Sequence, residues 1–251
     1  MRFVGKFLLF FLFISVVLPI GIGTTINLIR GWPANWREAD WSSSHVLPLA
    51  SVSSEAEVVI LATRTGRWKG IFSEHMSLVF KRPGETIWTR FDVVGWDNPV
   101  RKDAYVADAY WYGNTPRVIY DLSGSEAAAL IPKIESSIQQ YPFSAKGTYV
   151  IWPGPKSNTF VSWVVRHTDG FEAELSSVAV GKDYLGSGFH WQRAPSNTGY
   201  TASLGGYVAV TVARKEGFEL GLLGSTIGID PAGLAIKVPS LGTLSLKSLF
   251  D

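Results

Sequence analysis

Residues 7–29, FLLFFLFISVVLPIGIGTTINLI, carry no charged side chain over 23 consecutive positions. A helix rises about 1.5 Å per residue, so such a run reaches across a hydrocarbon layer of about 30 Å, even with a proline near its middle. Arg2 and Lys6 precede it and form a short basic flank, residues 1–6, that holds the amino end in the cytoplasm and sends the rest across. A cleaved signal peptide is the competing reading, with Gly21-Ile22-Gly23 as a small-x-small site. The apolar run continues past that site through Ile26, Leu28 and Ile29, which favours a retained transmembrane anchor. Under either reading the remaining chain works outside the cytoplasm.

Without the two amino-terminal cations, 21 basic side chains balance 21 acidic ones. A neutral chain offers no footprint for nucleic acid. The chain has no cysteine, which excludes disulfides, thiolate metal sites and a thiol nucleophile. His45, His75, His167 and His190 lack metal-ligand spacing, and the chain has no P-loop, no H-E-x-x-H zinc motif, no G-x-S-x-G elbow and no EF-hand loop. No cofactor and no metal site is therefore expected.

Residues 30–57 combine Trp32, Trp36 and Trp41 with a Ser-rich stretch and read as a juxtamembrane linker. Val58–Thr63 is a short apolar run and a candidate buried strand. His75–Phe80 and Ile87–Val94 flank a Pro83-Gly84 turn and read as a hairpin. Centring it there sets Phe80 opposite Ile87, Leu78 opposite Thr89, Met76 opposite Phe91 and His75 opposite Asp92. Residues 123–140 read as a helix with a Ser123/Glu126 capping box and a stripe of Leu130, Ile131, Ile134 and Ile138, interrupted by Pro132. Tyr149–Trp152 reads as a short strand, and Ser157–Arg166 as an amphipathic helix after Pro153-Gly154-Pro155. Beyond about Thr198 the chain is glycine-punctuated and β-rich, over 200–213, 217–229 and 234–238.

Ser157 stands at the start of its expected helix, where backbone N–H groups favour developing negative charge. A serine nucleophile needs a base, and the base an orienting partner; His75 and Asp92 supply such a pair. Serine is also among the best helix N-caps, and a cross-strand His–Asp pair is an ordinary sheet contact, so both features have a plain structural explanation. Ten tryptophans, among them Trp68, Trp88, Trp96, Trp111, Trp152, Trp163 and Trp191, could line a carbohydrate or lipid cleft or fill core and interfaces.

Several longer motifs occur in order: Arg37–Ser43, Trp68–Phe72 leading to His75, Val94-Gly95-Trp96, Trp152–Pro155 with Ser157–Phe160, Gly181–Gly186 and Ser203–Gly206. Over roughly residues 36–245 they resemble a bacterial family known as domain of unknown function 3750, which implies a family and no assigned reaction. Lys156-Ser157-Asn158-Thr159-Phe160, downstream of a strand His75, is also similar to the circularly permuted papain-like proteins, the NlpC/P60 hydrolases and lecithin–retinol acyltransferases. Those carry N-C-x-x-F at the helix start; here Ser157 replaces the cysteine and Lys156 the asparagine.

The resemblance implies an α+β fold of papain-like type: an antiparallel sheet plus helices over 58–168, with a β-rich region packed on it over 169–251. With the charge-free run and its Arg2/Lys6 flank, a bacterial origin gives an expected inner (cytoplasmic) membrane location with the bulk periplasmic. The expected function is a membrane-anchored cell-envelope protein whose cleft binds or scaffolds without turnover, since a hydroxyl is a weaker nucleophile than a thiolate. The alternatives are a hydrolase or acyltransferase acting on cell-wall peptide or lipid acyl groups, with Ser157 as nucleophile, His75 as base and Asp92 as orienter, and a structural partner of an envelope complex.

Overall fold

The computed structural model describes Gly5, Lys6 and residues 10–246. The expected span therefore falls partly outside the described residues, at Phe7, Leu8 and Leu9. Helix α1, Phe10–Arg30, is long and apolar enough to cross a membrane, and only Pro19 and Gly23 of it are buried. It contains one π-helical segment, Phe13–Val17, and Pro19 follows at once. The hydroxyls of Ser15, Thr24 and Thr25 each donate to a carbonyl four residues back, so the helix satisfies these three hydroxyls itself. Its carboxyl-terminal half leans on the globular part. Gly23 approaches Ser240 so closely that a Cβ there would collide with the hydroxyl.

The first sheet has five strands: β1 Glu57–Arg64, β2 Glu74–Lys81, β3 Thr89–Val93, β4 Val100–Lys102 and β5 Arg117–Ser123. Their order is β4-β3-β2-β1-β5, and every pairing is antiparallel. Helices α2, Gly124–Gln139, and α3, Ser157–His167, cover one face. There Val58, Ile60, Met76, Leu78 and Phe80 pack against Leu130, Ile131, Ile134, Phe160, Val161 and Val164, all under 5% exposed. The other face buries Val59, Leu61 and Val79 beneath Val46, Leu47, Trp88 and Ala107. Being covered on both sides is why β1 reads as an unbroken apolar run.

Three local expectations are corrected. The Pro83-Gly84 turn closes as expected, with the Glu85 N–H donating to the Arg82 carbonyl. The strands then pair two residues further along, Phe80 with Thr89 and Leu78 with Phe91, because Thr86, Ile87 and Trp88 stay outside the ladder. Ile87 is 77% exposed instead of buried. A slip of two keeps every side chain on its face, whereas a slip of one would not. Ser123 is the N-cap of α2, yet its side chain makes no capping bond, so the Ser123/Glu126 box does not form. Residues 149–152 form no strand; the Val150 N–H donates to the Pro155 carbonyl and closes a loop.

The second sheet is a continuous antiparallel meander of seven strands in the order β12-β11-β10-β9-β8-β7-β6. It comprises β6 Phe189–Arg193, β7 Gly199–Leu204, β8 Val208–Ala213, β9 Gly217–Leu222, β10 Ser225–Asp230, β11 Ala235–Val238 and β12 Gly242–Ser245. Its inner face is tied to the first unit by charge. Lys182 Nζ lies 2.7 Å from Glu219, and Lys237 Nζ lies 2.7 Å from both Glu219 and Glu174. Burial alone would lower both lysines and raise Glu219, but the opposite charges outweigh it and keep all three ionised.

Candidate functional site

His75 and Asp92 do meet. His75 is in step with Val79 on β2 and Asp92 with Arg90 on β3, and since Val79 and Arg90 pair, both lie on the sheet face away from the helices; His75 Nε2 is 2.8 Å from Asp92 Oδ1, and both residues are buried. Arg90, two residues before Asp92 and so on the same face, grips that carboxylate through Nε at 2.7 Å and Nη2 at 3.0 Å. Its Nη1 donates to the carbonyls of Val106 and Ala107. Burial alone would raise the Asp92 carboxyl, but the Arg90 guanidinium, with help from His75, holds it down to about 2. Burial pushes the His75 imidazole below its ordinary value and outweighs the bond to Asp92, while Arg90 and Lys156 push the same way.

The consequence is a defined tautomer. With Asp92 ionised, Nε2 carries the proton and donates it, and Nδ1 is left with its lone pair. The His75 ring lies flat against Trp111, with centroids 3.8 Å apart and planes at 3°. Trp41, Tyr105 and Tyr112 surround that tryptophan, which fixes the ring from one side.

Ser157 is the first residue of α3, while Lys156 takes the N-cap position, so serine is not the cap. The Lys156 N–H donates to Thr159 Oγ1, which in turn donates to the Gly181 carbonyl. Asn158, fully buried, ties the helix start to β2. Its Oδ1 accepts the Met76 N–H at 2.9 Å, and its Nδ2 donates to the carbonyls of Glu74 at 2.7 Å and Val180 at 2.8 Å. Pairing between β2 and β3 begins only at Leu78, so Asn158 fills the ladder positions that β3 leaves open on either side of His75. Ser157, its chain neighbour, is thereby brought to the His75 end of β2. Among the described residues the Ser157 hydroxyl makes no hydrogen bond, to His75 or otherwise. Ser157 is 5% exposed and His75 4%, so both are nearly closed off. Burial, with Lys69 adding to it, pushes the Lys156 amine down to about 8.

The large opening lies next door. A cleft of about 1430 Å³ runs from the end of α1 past β1 and β5 to the β11–β12 turn, lined by Arg30, Trp32, Arg64, Glu74, Arg117 and Glu174 among others. Glu74 precedes His75 in β2 and is held by Arg117 at 2.8 Å, Arg64 at 3.7 Å and the Ser176 hydroxyl at 2.5 Å. Glu174 pairs with Lys237. Arg30 forms no ion pair among the described residues, so the lining keeps a surplus of positive charge. Among the described residues, no cluster of side chains could hold a metal ion.

Arg90 was missed in the sequence, although its place two residues before Asp92 puts it on the same face, and Asn158, which sits inside the helix-start motif, was given no role. Trp111 reaches His75 through a loop, and no local pattern announces that contact.

The profile of a family described as a protein of unknown function (DUF3750) matches residues 55–184, which include His75, Arg90, Asp92, Trp111, Ser157 and Asn158. No curated protein and no solved structure matches the chain.

Proposed function

The chain belongs to the DUF3750 family, and on that footing we propose that it is a cell-envelope protein anchored by α1, with its globular part outside the cytoplasm, that binds a peptide-like anion without turning it over. The observation that carries this reading is the broad polar cleft beside Glu74, lined by Arg30, Arg64 and Arg117 against Glu74 and Glu174. Its volume of about 1430 Å³ is ample for a small ligand, and its lining suits a molecule with carboxylates and an amine better than an acyl chain. A cell-wall stem peptide has that chemistry. The papain-like fold enters only through the helix-start motif and the strand His75.

The test is a calorimetric titration of the full chain in nanodiscs with a cell-wall stem peptide. Saturable binding is expected, weakened about tenfold or more by Arg117→Gln, because a charge-assisted hydrogen bond contributes about 1.5–3 kcal/mol. Absence of binding at millimolar peptide would contradict the reading.

One observation favours a second reading. A neutral His75 with an open Nδ1, and an unbonded Ser157 hydroxyl at the start of the helix that Asn158 ties to the same end of β2, are the parts a serine acyl hydrolase or acyltransferase needs, with Asp92 as orienter. In that scheme Nδ1 would take the Ser157 proton as the oxygen attacks an acyl carbonyl and pass it to the departing alcohol or amine as its bond to the acyl carbon breaks, and water or an acceptor alcohol would then release the acyl group from Ser157. Fluorophosphonate labelling lost in Ser157→Ala would establish it; an unlabelled wild type would eliminate it.

A further inference from the structure

The seven-stranded meander is amphipathic in the reverse of the usual sense. Its inner face presents Thr201, Thr211, Glu219 and Lys237 to the rest of the protein, all buried. Its outer face is apolar. One row runs unbroken across six strands, Tyr200, Val212, Phe218, Ile229, Ile236 and Leu244, each paired with the next. All six are more than 40% exposed. Parallel rows repeat the pattern, Trp191-Ala202-Val210-Leu220-Ile227 and Phe189-Leu204-Val208-Leu222-Ser225. Arg193 alone brings a charge to these rows, at the rim, stacked over Tyr200. A soluble sheet buries its apolar face and wets its polar one; here the apolar face is left bare.

The tether names the occupant. Gly23 of α1 touches Ser240, which sits in the turn joining β11 and β12. Gly23 lies six residues before Ile29, the end of the charge-free run, or about 9 Å along the helix. A helix that spans the bilayer therefore carries that turn of the sheet down to the headgroup layer or below it. Strands of six residues extend about 20 Å, too short to cross at the usual tilt, so the sheet lies on the membrane instead of through it. The Trp191–Tyr200 stack and Arg193 suit the water–lipid boundary.

We propose that the outer face of β6–β12 rests in the interfacial layer of the same bilayer that α1 crosses; this inference depends on reading α1 as a membrane anchor. The lack of cysteine makes the test clean. Single cysteines replace Val212, Ile229, Ile22 and Asp169, one per variant, in the full chain reconstituted in nanodiscs of equal parts phosphatidylcholine and phosphatidylglycerol. Each carries a nitroxide spin label, and collision with oxygen and with an aqueous nickel chelate is measured. Val212, Ile229 and Asp169 are exposed on the protein surface, so a label there displaces no core side chain, and circular dichroism checks that each variant folds.

The expected result is a several-fold lower nickel accessibility, with higher oxygen accessibility, at Val212→Cys and Ile229→Cys than at Asp169→Cys. Sheet labels as wet as Asp169→Cys, with Ile22→Cys in lipid, would overturn the sheet proposal and leave the anchor standing. A wet Ile22→Cys would overturn the anchor and the proposal together. Sheet labels shielded from both reagents, with spin–spin broadening, would show a second copy of the chain on this face and overturn the lipid assignment.

Discussion

Asn158 is the most economical place to break the site's framework. It is 0% exposed and makes three hydrogen bonds that join α3 to β2 and to the Val180 carbonyl. Asn158→Ala leaves the Met76 N–H and the Glu74 and Val180 carbonyls without these partners. At about 1 kcal/mol net per bond, with a further penalty for an orphaned buried donor, the expected loss is about 3–4 kcal/mol. Asn158→Asp separates hydrogen bonding from volume. It keeps the shape and one acceptor but aims a carboxylate at two carbonyl oxygens. A carboxyl so placed is harder to ionise in the folded protein than in the unfolded chain, so its folded value lies above the unfolded one. The protonated form then retains stability at acid pH, and that stability is lost as pH rises through the folded value. Urea unfolding of the detergent-solubilised chain, followed by tryptophan emission, is the assay. Asn158→Asp is expected to be at least as damaging as Asn158→Ala at pH 8 and less so at pH 5. A loss under about 1 kcal/mol in either variant at pH 8, or a pH-independent difference between them, would refute the bridging role.

Three further outcomes follow from the same geometry. Asp92→Asn should cost about 2–3 kcal/mol at neutral pH, the equivalent of holding its carboxyl near 2 instead of 3.8, and should lower the His75 titration further by removing the charge that pulls it up; urea unfolding and imidazole NMR read the two effects. Trp111→Ala should let water reach the His75 ring and raise its titration toward the ordinary value, since burial is the main cause of its depression; an unchanged NMR titration would contradict this. Glu219→Gln should cost about 3 kcal/mol or more in urea unfolding at neutral pH, because Lys182 and Lys237 lose the buried carboxylate between them.

Much of the fold was legible because it rests on local periodicity. The buried strand β1, the stripe of α2 and the meander strands β7 to β11 follow from patterns a few residues long, whereas β6 and β12 lie outside the stretches the sequence marks as β-rich. The hairpin shows where that stops. The turn chemistry of Pro83-Gly84 was readable, but the three residues left outside the ladder were not, and only the even slip preserved the His75–Asp92 meeting. At the site, the His–Asp pair was accessible to strand parity, whereas the stacking of Trp111 and the bridging of Asn158 depend on contacts between segments distant in sequence. The cleft beside Glu74 is likewise assembled from α1, β1, β5 and the β11–β12 turn, and no single stretch encodes it.

Trp32 and Trp111 give the most direct test of where a ligand goes, because one lines the cleft and the other covers His75. Full-length chain with labelled tryptophan is titrated with a cell-wall stem peptide, and the two indole NMR signals are followed. The Trp32 signal is expected to shift in step with binding while the Trp111 signal stays in place. A shift of Trp111 with Trp32 unmoved would place the ligand at Ser157 and His75 and contradict the assignment of the cleft.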